Sequence, residues 1–449
     1  MPDSEPPQPN AISDSLYREM RGRVREIFDY ALAECSIPRA LKQKLESDGL
    51  SLRVDGRIYD LAAFERVVVI AIGKAGYTLA ENFAGLVERP LLGIIAAPGG
   101  ARAPLAGFRY YSGGHPLPNE DSLRAGDEIL RLVADLSPEA LAVFLISGGA
   151  SAIAEKPIRD EITLADVVQT YRALVHSGAP IAEINAIRKH LSALKGGRLA
   201  RAAVPAYQLS ILVSDVPEHA LDALASGPSM PDSTTVQSCQ DIVRRYQLLE
   251  RLPQTVRSIF EQGQLEETPK AHEAAFARSH YCTVLSNATA IKAVVEQAAL
   301  AGFANEVDNS CDDWDYERAA DHLLRRLRHL RKGVSRACII SGGEVTVKVG
   351  GPSGVGGRNQ QFALYCAQKI AGESITVLSA GTDGVDGNSE AAGAIADGST
   401  LERARQCGFD AAAALAKFDS HPLFRAIGDA IVTGPTGNNV RDIRVLLAY

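Results

Sequence analysis

The 449-residue sequence lacks most of the marks by which a chain declares its chemistry. Its seven cysteines (Cys35, Cys239, Cys282, Cys311, Cys338, Cys366 and Cys407) form no C-x-x-C pair, and their odd number suggests neither a disulfide framework nor a zinc knuckle. Several lie in apolar runs, as Cys338 does before Ile339-Ile340. They read as small buried hydrophobes in a reducing compartment. An excess of positive charge is also missing. The formal net charge is −7, which argues against a nucleic-acid partner but leaves anionic small substrates open, because a pocket can be locally positive on an acidic protein. No apolar stretch approaches the ~20 residues needed to span a bilayer. Met1 to Ser13 is Pro-rich and polar, without the basic start and apolar core of a signal peptide. A cytoplasmic protein with no membrane partner is expected.

Catalytic fingerprints are missing too. The only Gly-Lys pair, Gly73-Lys74, has Val68 where the first glycine of a P-loop belongs. No G-x-G-x-x-G occurs; the nearest approach, Gly354-Val355-Gly356, has Asn359 in the last position, which weakens any dinucleotide-binding reading. There is no H-E-x-x-H and no G-x-S-x-G elbow.

What is present is a globular balance of 46% hydrophobic and 22% charged residues, in a chain long enough for two or three domains. Helical periodicity runs from Ser15 to Lys44 with a break near Pro38, followed by a hairpin or irregular segment over 50–59. Then come continuous apolar runs at Val67–Ile72, Leu92–Ala97, Leu141–Ile146 and Gln208–Val213, each reaching a glycine or polar loop. Such runs predict parallel strands covered on both faces, with ligands beyond their carboxyl ends. A polar, helix-rich connector, 237–279, predicts the domain boundary. Beyond it strands are predicted at 281–285, 337–340, 345–349, 375–378 and 443–447, with helices at 288–301, 316–331 and 360–370. The alanine run at 411–414 also suits a helix.

Six loop clusters carry the candidate chemistry. Gly73-Lys74-Ala75-Gly76 puts an ammonium where a strand turns into a helix, favouring a bound anion, although a solvent-facing turn is the plainer alternative. Ser147-Gly148-Gly149-Ala150-Ser151 offers hydroxyls and close backbone approach, or simply a tight turn. Lys195-Gly196-Gly197, after His190, reads first as a helix C-terminus with a glycine cap. Asp215, in Ser214-Asp215-Val216-Pro217, can hold Mg²⁺, take a hydroxyl proton or cap a helix. Gly350 to Gly357, followed by Arg358-Asn359-Gln360, sets a forked guanidinium at a helix start, suited to gripping a carboxylate or phosphate. Thr382-Asp383-Gly384-Val385-Asp386-Gly387 suits a divalent cation, a substrate hydroxyl or an Asx turn. Together these supply the positioning groups and charge neutralisation that phosphoryl transfer requires.

In this order the clusters, with Gly114-His115-Pro116, Arg188-Lys189-His190-Leu191-Ser192, Ala225-Ser226-Gly227-Pro228 and Gly434-Pro435-Thr436-Gly437, resemble the class II glycerate 2-kinase family, whose C-terminal module is the MOFRL domain. The resemblance runs from about Ser15 to the end. It implies an α/β protein with a Rossmann-like N-terminal domain (15–255), a smaller α/β MOFRL domain (275–449) and an interdomain cleft. It further implies phosphorylation of D-glycerate to 2-phosphoglycerate with ATP and Mg²⁺, with Lys74 and Arg358 essential. The chain departs from the family pattern at Pro217-Glu218-His219-Ala220, where a glycine and acids are usual, and at Asn438, where the family has threonine.

The expected catalytic residues are therefore Lys74, Arg358, Asp215 and Asp383. Gly73, Ser147, Gly148, Gly149, Ser151, Lys195, Gly357 and Asn359 are expected to bind glycerate or ATP. Asp215, Glu344 and Asp383 are the expected metal ligands. The alternative function is an NAD(P)H-dependent hydroxypyruvate reductase. A homodimer is compatible with the sequence and not required by it.

Overall fold

Two helices open the described chain, Asp14–Glu34 and Ile37–Lys44, parting just before Pro38, which falls in the first turn of the second, where its missing N–H has no partner to lose. The structure, a computed structural model, describes residues 13–99, 103–349, 351 and 354–449, apart from the side chains of 218 and 219. The polar leader ahead of Ser13, and Gly100, Gly350, Pro352 and Ser353 of the glycine-rich clusters, lie outside the described residues.

The chain divides into two units, Ile37–Ser286 and a second that joins residues up to Ser36 with Asn287–Tyr449. The first begins with a small antiparallel sheet of β1 (Leu45–Ser47), β2 (Ser51–Val54) and β3 (Arg57–Asp60), the hairpin expected over 50–59. Six parallel strands follow: β4 (Val67–Ile72), β5 (Leu92–Ala97), β6 (Phe108–Ser112), β7 (Leu141–Ile146), β8 (Tyr207–Val213) and β9 (Ser279–Leu285). Their order across the sheet is β6-β5-β4-β7-β8-β9, the doubly wound arrangement in which the winding reverses between β4 and β7. Every residue of β4 and β7 is buried. That explains their unbroken apolar runs, since each fully buried Val, Ile or Phe side chain contributes roughly 1.5–3 kcal/mol.

The expected boundary is displaced. The connector helices Val236–Arg245 and Gln254–Glu261 are not a linker. Their Cys239, Ile242, Val256 and Ile259 pack with Leu174 and Ile187 in a core of the first unit, and β9 completes that unit's sheet. Amphipathic helices with wide polar faces read as linker by composition because only a narrow stripe is apolar. Helix Asp14–Glu34, placed by sequence with the first domain, belongs to the second unit instead. There Tyr17 Oη donates to the Glu373 carbonyl at 3.0 Å and Arg21 pairs with Asp397.

The second unit holds a mixed sheet of β10 (Ala304–Val307), β11 (Ala337–Gly342), β12 (Ile375–Gly381), β13 (Gly393–Asp397), β14 (Ala430–Ile431) and β15 (Asp442–Ala448). Its order is β10-β11-β15-β12-β13-β14, parallel only at β10–β11. The strand expected at 345–349 reduces to one bridge, Thr346 with Asp315, because the chain turns out of the sheet at Gly343, φ +92°. All seven cysteines are free thiols and six are buried. No helix among the described residues is long and apolar enough to cross a membrane.

Candidate active site

In the first unit the loops after β4, β7 and β8 converge at the switch point, so tightly that glycine is obligatory. Gly73 has φ +124°, and a Cβ there would lie 2.3 Å from Ser147 Oγ. Lys74 N donates to the Gly148 carbonyl at 2.9 Å, and Ala75 N donates to Ser147 Oγ at 3.0 Å. Ser147 thus ties the two loops together. A Cβ on Gly148 would fall 2.0 Å from Asp215 Oδ2, and one on Gly149 would fall 3.1 Å from Lys74 Cγ and 3.0 Å from His115 Cδ2. An exposed lysine, an imidazole and a carboxylate therefore surround a two-glycine turn at the carboxyl end of the sheet. Burial, reinforced by the charge of Lys74, pushes His115 below its ordinary value and keeps it neutral at pH 7. Ser151 Oγ lies 2.8 Å from Ser226 Oγ. Ala225 and Ser226 have φ +55° and +60°, a conformation costing about 1–2 kcal/mol per non-glycine residue and common at ligand clamps.

Beside this cluster, and sharing His115, Gly149 and Ser151 with it, is a cavity of about 380 Å³ also lined by Tyr171, Arg172, Val175, His176 and Arg188.

Lys195 is placed differently from expectation. It is not the tail of helix Ile181–His190 and is 1% exposed, its ammonium held by Glu155. Glu155 also accepts from Tyr171 Oη and, at 2.5 Å, from Ser192 Oγ. Burial lowers the Lys195 pKa against the opposing pull of Glu155. The side chain is committed inside the protein.

In the second unit helix Arg358–Lys369 starts at the sheet end. Gly357 is extended, and a Cβ there would lie 2.3 Å from Asp386 Oδ1. The gap lets Asp386 cap the helix, accepting from Asn359 N at 3.0 Å and Gln360 N at 2.9 Å. Burial outweighs these bonds and raises the Asp386 carboxyl to about 6. Asn359, expected at a ligand, is 1% exposed and accepts from Ser379 Oγ at 2.6 Å; it fixes the helix. Arg358 grips Asp442 with a fork, Nε to Oδ2 at 2.6 Å and Nη2 to Oδ1 at 3.0 Å, and reaches Glu344 Oε1 at 2.9 Å. Burial opposes its charge, but the bonds to Asp442 and the charge of Glu344 raise its pKa further.

Asp383 makes the Asx turn allowed by the sequence, accepting from Val385 N at 3.1 Å. A Cβ on Gly381 would lie 3.1 Å from Asp383 Oδ1 and 3.3 Å from Asp442 Oδ1, so two carboxylates meet over one glycine. Such hard oxygen donors fit Mg²⁺, which takes one or two carboxylates beside phosphate oxygens. Among the described residues no group of three or more His, Cys, Asp or Glu side chains is gathered to hold a metal. Of the three expected metal ligands, Glu344 is engaged by Arg358.

His115, Arg188 and Asp442 were not among the candidate residues. His115 and Arg188 stand in motifs the sequence displays, but an isolated His or Arg carries no spacing signal. Asp442, at the start of a strand, is marked only by its partner.

Residues 23–261 match the family model "Domain of unknown function (DUF4147)", and residues 337–442 match the MOFRL family. A "Putative hydroxypyruvate reductase" of Agrobacterium vitis is 38% identical over 85% of this chain and 87% of its own. A "D-glycerate 2-kinase" of Thermotoga maritima is 34% identical over 84% of this chain and 90% of its own. The crystal structure of a Thermotoga maritima glycerate kinase superposes with a TM-score of 0.83 at 30% identity, covering 96% of this chain and 100% of that one.

Proposed function

The chain belongs to the glycerate kinase family, and on that premise we propose that it transfers the γ-phosphoryl group of ATP to the 2-hydroxyl of D-glycerate, with Mg²⁺, giving 2-phosphoglycerate. The observation that carries this reading is the packing of Lys74 and Asp215 against Gly148-Gly149 at the switch point. It sets a cation for the phosphoryl charge and a carboxylate for the hydroxyl proton at one turn, with backbone close enough to touch a ligand.

Phosphoryl transfer asks a protein mainly for positioning and charge neutralisation. In this proposal Lys74 neutralises the transferring group, Asp215 accepts the proton of the attacking hydroxyl, and the fixed fork of Arg358 steadies the phosphates. The nucleotide supplies the phosphoryl group and Mg²⁺ shields its charge; Asp215 or Asp383 would contribute the ion's protein oxygens. Catalysis in this reading draws on residues of both units.

Lys74→Ala and Arg358→Ala should each lower kcat/KM by at least 10²–10³-fold, on the order of a lost charge clamp. Steady-state kinetics with D-glycerate and ATP measure this, and near-normal rates in both variants would remove the mechanism. The reductase reading is favoured by the names of two Agrobacterium vitis relatives. Against it, the loop after β4 reads Gly73-Lys74-Ala75-Gly76 and lacks the glycine fingerprint. NADH oxidation with hydroxypyruvate separates the two.

A further inference from the structure

Arg188 is the unassigned group with the clearest chemistry. It stands near the end of helix Ile181–His190 and lines the cavity beside His115, Gly149 and Ser151. Its guanidinium lies over the Tyr171 ring, 4.2 Å from Cζ to the centroid. That ring is 4% exposed, and its hydroxyl is tied to Glu155 in the buried network with Lys195 and Ser192. The platform beneath the arginine is therefore rigid, and stacking leaves the edge of a guanidinium free to bond in its plane.

Arg358 meets Asp442 and Arg441 meets Asp312. Arg188 has no ion pair among the described residues, and its buried Nε has no hydrogen-bond partner. The cavity wall includes Arg172 and no carboxylate. Glu155, which lines a smaller pocket together with Tyr171 and Arg188, already holds Lys195. A buried donor without a partner costs about 1–3 kcal/mol, and no acid among the described residues neutralises this guanidinium. The same cavity is lined by His115 and by Gly149, where an added Cβ would lie 3.1 Å from Lys74 Cγ.

We propose that Arg188 is the carboxylate clamp of the acceptor site, holding a 2-hydroxy acid by its acid end so that its hydroxyl faces Lys74 and Asp215. The clamp rests on the kinase reading and sharpens it: the first unit alone holds the acceptor, and discrimination between a hydroxy acid and a neutral polyol resides at Arg188. Arg358, already engaged by two carboxylates, is left to the phosphates.

Kinetics of wild type, Arg188→Ala and Arg188→Lys with D-glycerate and with glycerol test this. The alanine variant should raise KM for D-glycerate about 30- to 5,000-fold, the range for removing one partner of a buried charge pair. KM for ATP should stay within about twofold, and the preference for glycerate over glycerol should fall by a similar factor. The lysine variant keeps charge and stem but not the fork, and should raise KM for D-glycerate about tenfold. If the alanine variant does not fold, the lysine variant carries the test. A wild-type KM for D-glycerate in either folded variant of an active enzyme overturns the clamp and leaves the kinase reading standing. A wild-type protein inactive on D-glycerate overturns both.

Discussion

At the scale of single residues, function rests on which charges are left available. Lys74 is exposed at the switch point, whereas Lys195 is spent on Glu155 and Lys189 on Asp222 and Asp232. Sequence set Lys74 ahead of Lys195, whose plainer reading is a helix C-terminus, and named Lys189 only within a motif, but it did not show the buried acids that hold the last two. Asp386 shows the same limit. It reads as a candidate cation ligand or turn residue, yet it is the cap of the helix that carries Arg358. Its carboxyl is raised to about 6 from an ordinary 3.8, so the folded state binds a proton that the unfolded state releases. Its contribution to stability is therefore fully present below about pH 3.8 and is lost as pH rises through about 6. The stability difference between wild type and Asp386→Asn should change across that window and be flat outside it. Denaturant unfolding at a series of pH values measures this, and a difference independent of pH between 3.8 and 6 would contradict the burial of the charge.

At the scale of elements, the strands were the most legible part. β4, β5, β7, β8, β12 and β15 were predicted because strands buried on both faces need unbroken apolar runs. β6 (Phe-Arg-Tyr-Tyr-Ser) and β13 (Gly-Ala-Ile-Ala-Asp) were missed; the first is only half-buried and polar in part, the second short and glycine-led. The loops were legible as clusters but not as contacts. That Gly148 makes room for the Asp215 carboxylate is a fact of packing between the ends of β7 and β8. A methyl group at Gly148 meets Asp215 Oδ2 at 2.0 Å, so Gly148→Ala should displace the carboxylate. It should cost on the order of 10²-fold in kcat, the scale of a 1 Å misplacement, with the thermal midpoint little changed. Activity and a melting curve on the same sample check it; full activity would mean that Asp215 is not held against that turn during catalysis.

At the scale of the whole molecule, the doubly wound sheet and the second α/β unit follow from sequence, while the boundary between them does not. A helix-rich polar segment looked like a connector and is core of the first unit. The opening helix looked like the start of the first unit and packs in the second, a long-range choice that local periodicity does not encode. Separate family models match residues 23–261 and 337–442, and glycerate kinases match most of the chain, so the reaction itself is the decisive test. Phosphorus NMR of a mixture of the protein, D-glycerate, ATP and Mg²⁺ reads that reaction directly. One new phosphomonoester resonance, split by the single hydrogen on C2, should grow as ATP is converted to ADP. ATP left intact would contradict the account, and a resonance coupled to two hydrogens on C3 would overturn the assignment of the 2-hydroxyl.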